Sequence, residues 1–494
     1  MIHRRQFLLG REKYEREDFE YIKVDKNIIL SYHNELEIEK VETNIGIGYI
    51  LGLKFQVQIN RKSPKEEIEK IKKEEDVLDV ISTWSGRYIL ILCNRVYMDF
   101  VGNLGCFYGK KENNIFISSS LSLIKEVYKL GKENFEKINL GEGIDWFPGP
   151  LTTLKNVYRL LPSEILGFKE NNIKIYFKNY LIDFSKLKEE EILEKFIFNF
   201  SNLIKNINLN YDGDILLPLT GGVDSRTILA FLLKNKIKFK SFICETDSGL
   251  NNSDLIIGKL IAEQEKFCHH IIKKDKNKSD KKRELEFDQH CLGNCIDGSR
   301  EFYIKNLYEE FNGNRKNLML RGCIWESVIT YYKTLKDCNT KEERLKELKM
   351  RFSNIKKFSY NEKTLKIWLE NVEKNKIDIN WRDRFFLEQR EGAWLSSIEQ
   401  ADDLIKIDRI SPLNSEFLVS LLWGLSLKST NNKNHQKKII KKIYPELLKY
   451  PFNKKNIKEH LKTMKELYIK YGFIGILRKA LLKIKFLYKI KTGN

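Results

Sequence analysis

The apolar positions of this chain change period near residue 185. Before that point they fall in short runs and alternations. Residues 49–58, 87–93, 96–100 and 114–118 read as strands, with Asn94-Arg95 as a hairpin turn between the second and third. Residues 63–75 read as a charged helix with Ser63 as cap and Pro64 at its first position. A further helix is predicted over 121–130, and 144–153 reads as a loop. An amphipathic helix over 187–205 then leads into a different rhythm. Strands at 215–219, 239–245, 270–273 and 317–320 alternate with helical segments, among them 253–266. That alternation predicts a parallel, doubly wound sheet with ligands at the carboxyl ends of its strands. The expected fold is therefore α/β: a β-sandwich domain over 1–188, followed by a parallel-sheet domain with helical additions over 189–494.

One stretch carries chemistry in its spacing. DILLPLTGGVDSRTILAFLL, residues 214–233, reads as a buried strand, a glycine turn and a helix. Gly221 and Gly222 let backbone approach an anion, and the helix start adds unpaired N–H groups and a positive dipole end. Hydroxyls at Thr220 and Ser225 can donate to phosphate oxygens. A carboxylate at Asp224 would repel phosphate by itself, so it makes sense as a ligand of magnesium carried by the phosphates. The plain alternative is a glycine turn with a capping aspartate.

With 494 residues, two or three domains are expected, and a 42% hydrophobic content suffices to pack them. The net charge of +20 admits nucleic acid, anionic membrane or anionic substrates as partners. Lysine is abundant along the whole chain, which first reads as compositional bias. The first residues lack an apolar stretch long enough for a signal peptide, and no run reaches the length of a membrane span. The 8 cysteines are scattered, as expected in a reducing cytoplasm. Cys268, His269, His270, Cys291 and Cys295 are metal-ligating types, but without a C-x-x-C pair structural thiols are the better reading.

T-G-G-V-D-S-R resembles the S-G-G-x-D-S pyrophosphate loop of ATP pyrophosphatases and not the G-x-x-x-x-G-K-[ST] loop of phosphoryl transfer. The stretch SGRYILILCNRVYMDFVGNLGCFYGKKENNIFISSSLSLI resembles the N-terminal glutaminase-like (Ntn-type) domain of class B asparagine synthetases. The resemblance implies that Leu219, Thr220, Gly221, Gly222, Asp224, Ser225 and Arg226 hold ATP, with adenine near Phe242 to Glu245. Arg321-Gly322-Cys323-Ile324-Trp325-Glu326 occupies the place of the family's second motif. It would put Gly322 at the nucleotide, Glu326 beside Asp224 as a magnesium ligand and Cys323 at the acyl group, with Ile324 replacing the second glycine. Glu399, and after it Glu388, match the carboxylate that orients or deprotonates the attacking amine. Arg409, Pro412 and Asn414 match the following stretch, with Asn414 replacing an aspartate. Lys437 or Lys438 would touch the phosphates, and Lys454 the oxyanion of acyl transfer. The departure at position 2 matters most. Active glutaminases of the family carry cysteine there, whereas this chain has Ile2, so no glutamine hydrolysis is expected. In this respect the chain resembles the β-lactam synthetases and lasso-peptide cyclases.

The implied activity is an AMP-forming, ATP- and Mg²⁺-dependent amide ligase. Its carboxylate substrate could be a small molecule, a peptide or a glycan, and an amine would be the acceptor. Two other readings stand beside it: a degenerate, non-catalytic binding subunit, and an RNA-modifying ATP pyrophosphatase, against which the complete N-terminal β domain argues. Assembly as a homodimer is left open. Residues 457–494 form a lysine-rich amphipathic tail, which reads as a helix packed on the second domain or as a segment for an anionic membrane surface. The expected location is cytoplasmic, with peripheral association at the inner membrane face in the second case.

Overall fold

The computed structural model describes residues 3–58, 63–132, 146–179, 181–245, 253–273, 316–328, 331–352, 359–377, 379–404, 406–428 and 434–452, with Ile144, Phe311 and Ile355 between them. Ile2, Cys291, Cys295, Lys454 and the tail at 457–494 lie outside the described residues.

Twelve strands come first. They are β1 (Phe7–Gly10), β2 (Phe19–Asp25), β3 (Ile28–His33), β4 (Ile38–Thr43), β5 (Gly46–Gln56), β6 (Trp84–Leu92), β7 (Arg95–Met98), β8 (Phe107–Lys111), β9 (Asn114–Ser118), β10 (Val157–Arg159), β11 (Glu164–Lys169) and β12 (Asn172–Phe177). They form two six-stranded antiparallel sheets, ordered β10-β8-β9-β1-β3-β2 and β12-β11-β7-β6-β5-β4. Alternation along the strands decides which side chains meet. Phe7 and Leu9 of β1 join Leu51, Ile89 and Ile91 in the core between the sheets. Leu8, between them, faces outward with Phe116 onto α3 (Leu121–Tyr128). The outer face of the second sheet, Ile50, Leu90 and Leu92, is covered by α1 (Pro64–Ile68) and α2 (Asp76–Ser82). The result is four layers, helix-sheet-sheet-helix.

Local signals explain most boundaries. Ser63 caps α1 in a capping box with Glu66, and Pro64 occupies the first turn. The helix ends at Ile68, well short of residue 75, because only Ile68 and Ile71 offer apolar anchorage and Glu69 closes the turn. The hairpin between β6 and β7 turns on Cys93 and Asn94, both at positive φ (52° and 57°), one residue earlier than expected. Cys93 is thus a half-buried turn residue and not a mid-strand one.

The long helix α4 (Glu189–Asn210) leads to the third sheet. Its strands are β13 (Asp214–Pro218), β14 (Lys240–Cys244), β15 (His269–Ile272), β16 (Asn317–Leu320) and β17 (Asp408–Ile410). All pairings are parallel, in the order β15-β14-β13-β16-β17. The chain therefore winds outward in both directions from β13, and the topological switch point lies between β13 and β16. Ile215 and Leu217 of β13 pack with α4, α5 (Val223–Lys234) and α6 (Ser253–Glu265), while Leu216 faces Phe242 and Met319 on the other side. Met1–Tyr450 form one compact unit and Pro451–Asn494 a second. Among the described residues, no helix is long and apolar enough to cross a membrane.

Candidate functional site

The site grows from the switch point. β13 ends at Pro218, and buried Leu219 is tied to β14 by its N–H to the Phe242 carbonyl (2.9 Å). Thr220, Gly221 and Gly222 then turn the chain into α5. Thr220 Oγ1 accepts from the Gly222 N–H (3.2 Å) and lies 3.2 Å from Ser225 Oγ, which accepts from the Thr220 N–H. The Gly221 N–H donates to a carboxylate oxygen of Asp254 at 2.7 Å, so an oxyanion already sits on the loop backbone. Gly222 is the N-cap of α5 and has no side-chain partner for the helix start.

β16 brings the second loop alongside. A Cβ at Gly322 would lie 3.1 Å from the Ser225 nitrogen and 3.2 Å from Asp224 Cβ, a contact so tight that any larger residue would push the loop and α5 apart by a few tenths of an ångström. Two positions on, Ile324 holds φ at +76°, a left-handed conformation that costs a β-branched residue roughly 1–2 kcal/mol. It is fully buried in the main core, and that burial offsets the strain. Glu326 follows in the short helix Trp325–Val328, anchored by Trp325 against Phe196 and Phe200. Burial raises the Glu326 carboxyl, and the negative charge of Asp224 raises it further. Asp224 in turn accepts from Gln436 Nε2 at 2.6 Å. Two nearby carboxylates that repel each other are what a divalent cation relieves, so this pair has the oxygen donors such an ion takes. Among the described residues no group of three or more His, Cys, Asp or Glu could hold a metal.

The segment after residue 380 contributes three glutamates in three environments. Glu399 is buried and paired with Arg321 and with Arg409 (3.1 Å). Burial alone would raise its carboxyl, but Arg321, Arg409 and Arg87 outweigh that and hold it at about 2. Glu399 thus fixes Arg321 beside Gly322 and is a poor base. Glu388 is wholly buried, bonded to Trp368 Nε1 (2.6 Å) and Arg384 Nε (2.9 Å). Its two partners occupy it structurally. Glu391 differs from both. Burial pushes its carboxyl up to about 8, Glu326 adds to the rise, and its Oε2 has no hydrogen-bond partner among the described residues. It lies on the π-helix Phe386–Leu395, a wide turn of the kind that re-aims side chains at functional sites.

The remaining sequence candidates fall as follows. Arg226 is wholly buried and donates to the carbonyls of Gly221 (3.1 Å), Leu447 (3.2 Å) and Tyr450 (3.0 Å), so it braces the loop from behind instead of offering charge to phosphate. Cys323 is half-buried, and burial raises its thiol to about 12, which leaves it unionised. Glu245 directly follows β14, its N–H bonded to the Ile272 carbonyl. On the helix Asn434–Ile443, Lys438 pairs with Glu189 of α4, Lys437 is exposed, and their neighbour Gln436 is the residue that reaches Asp224. Cys268 Sγ lies 3.1 Å from His270 Nε2, and among the described residues they do not form part of a group of three or more metal-ligating side chains.

Glu391, Gln436 and Asp254 were not singled out from the sequence. Glu391 carries one signal, its i,i+3 spacing from Glu388, but the π-helix that separates their environments leaves no periodic trace.

No family model and no curated protein matches this sequence. Among solved structures, the chain is similar to NMN synthetase from Francisella tularensis, with 14% identity over 41% of this chain and 92% of that one, at a TM-score of 0.19. It is also similar to glutamine-dependent NAD+ synthetase from Acinetobacter baumannii, with 15% identity over 34% of this chain and 31% of that one, at 0.18. For the glutamine phosphoribosylpyrophosphate amidotransferase of B. subtilis the figures are 11%, 67%, 71% and 0.21. Scores this low leave fold and function to be argued from the chain's own residues.

Proposed function

We propose that this chain is an ATP-dependent amide ligase that adenylates a substrate carboxylate, releases pyrophosphate, and passes the acyl group to an amine with release of AMP. The observation that carries the reading is the T-G-G-V-D-S loop at the switch point of a parallel sheet, with Gly322 packed against it and Asp224 opposed to Glu326. Backbone N–H groups of the loop and the start of α5 would bind the phosphates. Asp224 and Glu326 would hold Mg²⁺, which when bound neutralises charge on the leaving pyrophosphate. Arg321, held by Glu399, supplies a fixed cation beside the loop. Glu391, whose Oε2 has no hydrogen-bond partner among the described residues and which burial holds mainly protonated at neutral pH, is the group best suited to accept the proton of an attacking amine once ionised. In this reading the N-terminal sheets over residues 1–188 would be the counterpart of the glutaminase-like domain that the sequence resembles, serving as scaffold, and the synthetase part would start near residue 189.

Reaction products test this reading with ATP and a panel of carboxylic acids. AMP and pyrophosphate are expected in equal amounts, and ADP with phosphate would exclude adenylation. Glutamine alone should yield no glutamate. A non-catalytic binding subunit would give neither product pair.

A further inference from the structure

At the opposite end of the parallel sheet, the amino-terminal ends of β16 and β17 border a cavity of about 560 Å³. Its volume suits a small organic ligand. Its lining is dominated by Arg4, Arg5, Arg87, Lys316, Lys406 and Arg409. The carboxylates that share the lining already have cations: Glu35 pairs with Arg4, Glu37 with Lys54 (2.9 Å) and Asp408 with Arg5 (2.6 Å). Arg87 is held by Asp403 and Arg409 by Glu399. Lys316 and Lys406 stand exposed at the rim and have no carboxylate within salt-bridge distance among the described residues. Arg5 Nε is buried and has no acceptor among the described residues. The cavity therefore keeps an excess of positive charge.

We propose that this cavity is a second ligand site that takes a small molecule through a phosphate group, with Arg5 as the inner anchor and Lys316 and Lys406 at the mouth. A dianion matches two ammonium groups and a guanidinium N–H better than a single carboxylate does, and guanidinium is the usual partner of phosphate oxygens. The site is separate from the glycine loop. β16 runs from Asn317 at the cavity to Arg321 at the loop, a span of about 13 Å at the usual rise per strand residue. The proposal stands without the ligase reading, because nothing in it depends on adenylation.

Equilibrium dialysis of the full chain with radiolabelled inorganic phosphate tests it. Wild type is expected to bind saturably. Lys316→Ala/Lys406→Ala should lose at least tenfold in affinity with an unchanged melting temperature, since both side chains are exposed. Arg5→Lys, which retains a charge to pair with Asp408 but removes the planar guanidinium, should also weaken binding severalfold. Thr220→Ala/Ser225→Ala should leave it within twofold. The reverse pattern, binding lost in the loop variant and kept in the lysine variant, would overturn the proposal, as would no saturable binding in wild type. Displacement of phosphate by an equal concentration of succinate would overturn the choice of phosphate over carboxylate.

Discussion

Glu391 and Glu399 lie in one continuous helical segment, yet their surroundings drive them in opposite directions. Arg321 and Arg409 hold Glu399 at about 2, whereas burial, helped by the charge of Glu326, outweighs Arg390 and Arg321 and lifts Glu391 to about 8. Divergent carboxylates are how one site separates its roles. A base works in its ionised form, so amide-linked AMP release should rise with pH through about 8 and level off above it. Glu391→Gln should lower that release roughly a hundredfold or more and remove the alkaline-side rise, while the melting temperature stays near wild type. A pH–rate profile that Gln leaves unchanged would return the role to another group. The sequence showed that carboxylates cluster here. It could not show which one is paired, because Arg321 arrives from the end of β16, 78 residues away, and Arg409 reaches Glu399 only through the turn into β17.

Among the elements, β13 with its glycine turn and α5 was legible almost to the residue, because a short apolar run, two glycines and a helical period coincide. β16 and β9 were legible at both ends for a similar reason. Edge strands such as β2 and β4, largely solvent-facing, lack that pattern and were not found. The second loop was legible only as a degraded motif. The structure shows that its backbone keeps a left-handed turn at Ile324 in spite of the missing glycine. Ile324→Gly would relieve roughly 1–2 kcal/mol of strain but forfeit a buried side chain worth about 2–3 kcal/mol plus glycine's entropy. Net destabilisation of about 1–3 kcal/mol is expected from denaturant midpoints. A stabilised variant would show that the strain outweighs the packing.

At the scale of the whole molecule, the first sheets and the parallel-sheet region share buried polar contacts. Arg87 meets Asp403 at 2.5 Å, Ser85 Oγ donates to the Pro412 carbonyl at 2.7 Å, and Ser396 Oγ to the Gly102 carbonyl at 2.8 Å. Asn414 is central among them. Its Nδ2 donates to the Gly86 carbonyl (2.6 Å) and to buried Asp99 (2.8 Å), and its Oδ1 accepts from the Val101 N–H (3.2 Å). From sequence alone, asparagine in place of the family's aspartate read as loss of a motif. In the structure it is required, because aspartate would set a second carboxylate against Asp99. Asn414→Asp should therefore destabilise by about 2–4 kcal/mol at neutral pH, read by urea unfolding. Unchanged stability would mean the two regions do not depend on this contact. The central claim is that the loop at the switch point drives adenylation with a metal held by Asp224 and Glu326. Pyrophosphate release from ATP by the full chain, compared with Asp224→Ala of unchanged circular dichroism, tests it most directly. Magnesium-dependent pyrophosphate release is expected in wild type and its loss in the variant. Undiminished release from Asp224→Ala would contradict it.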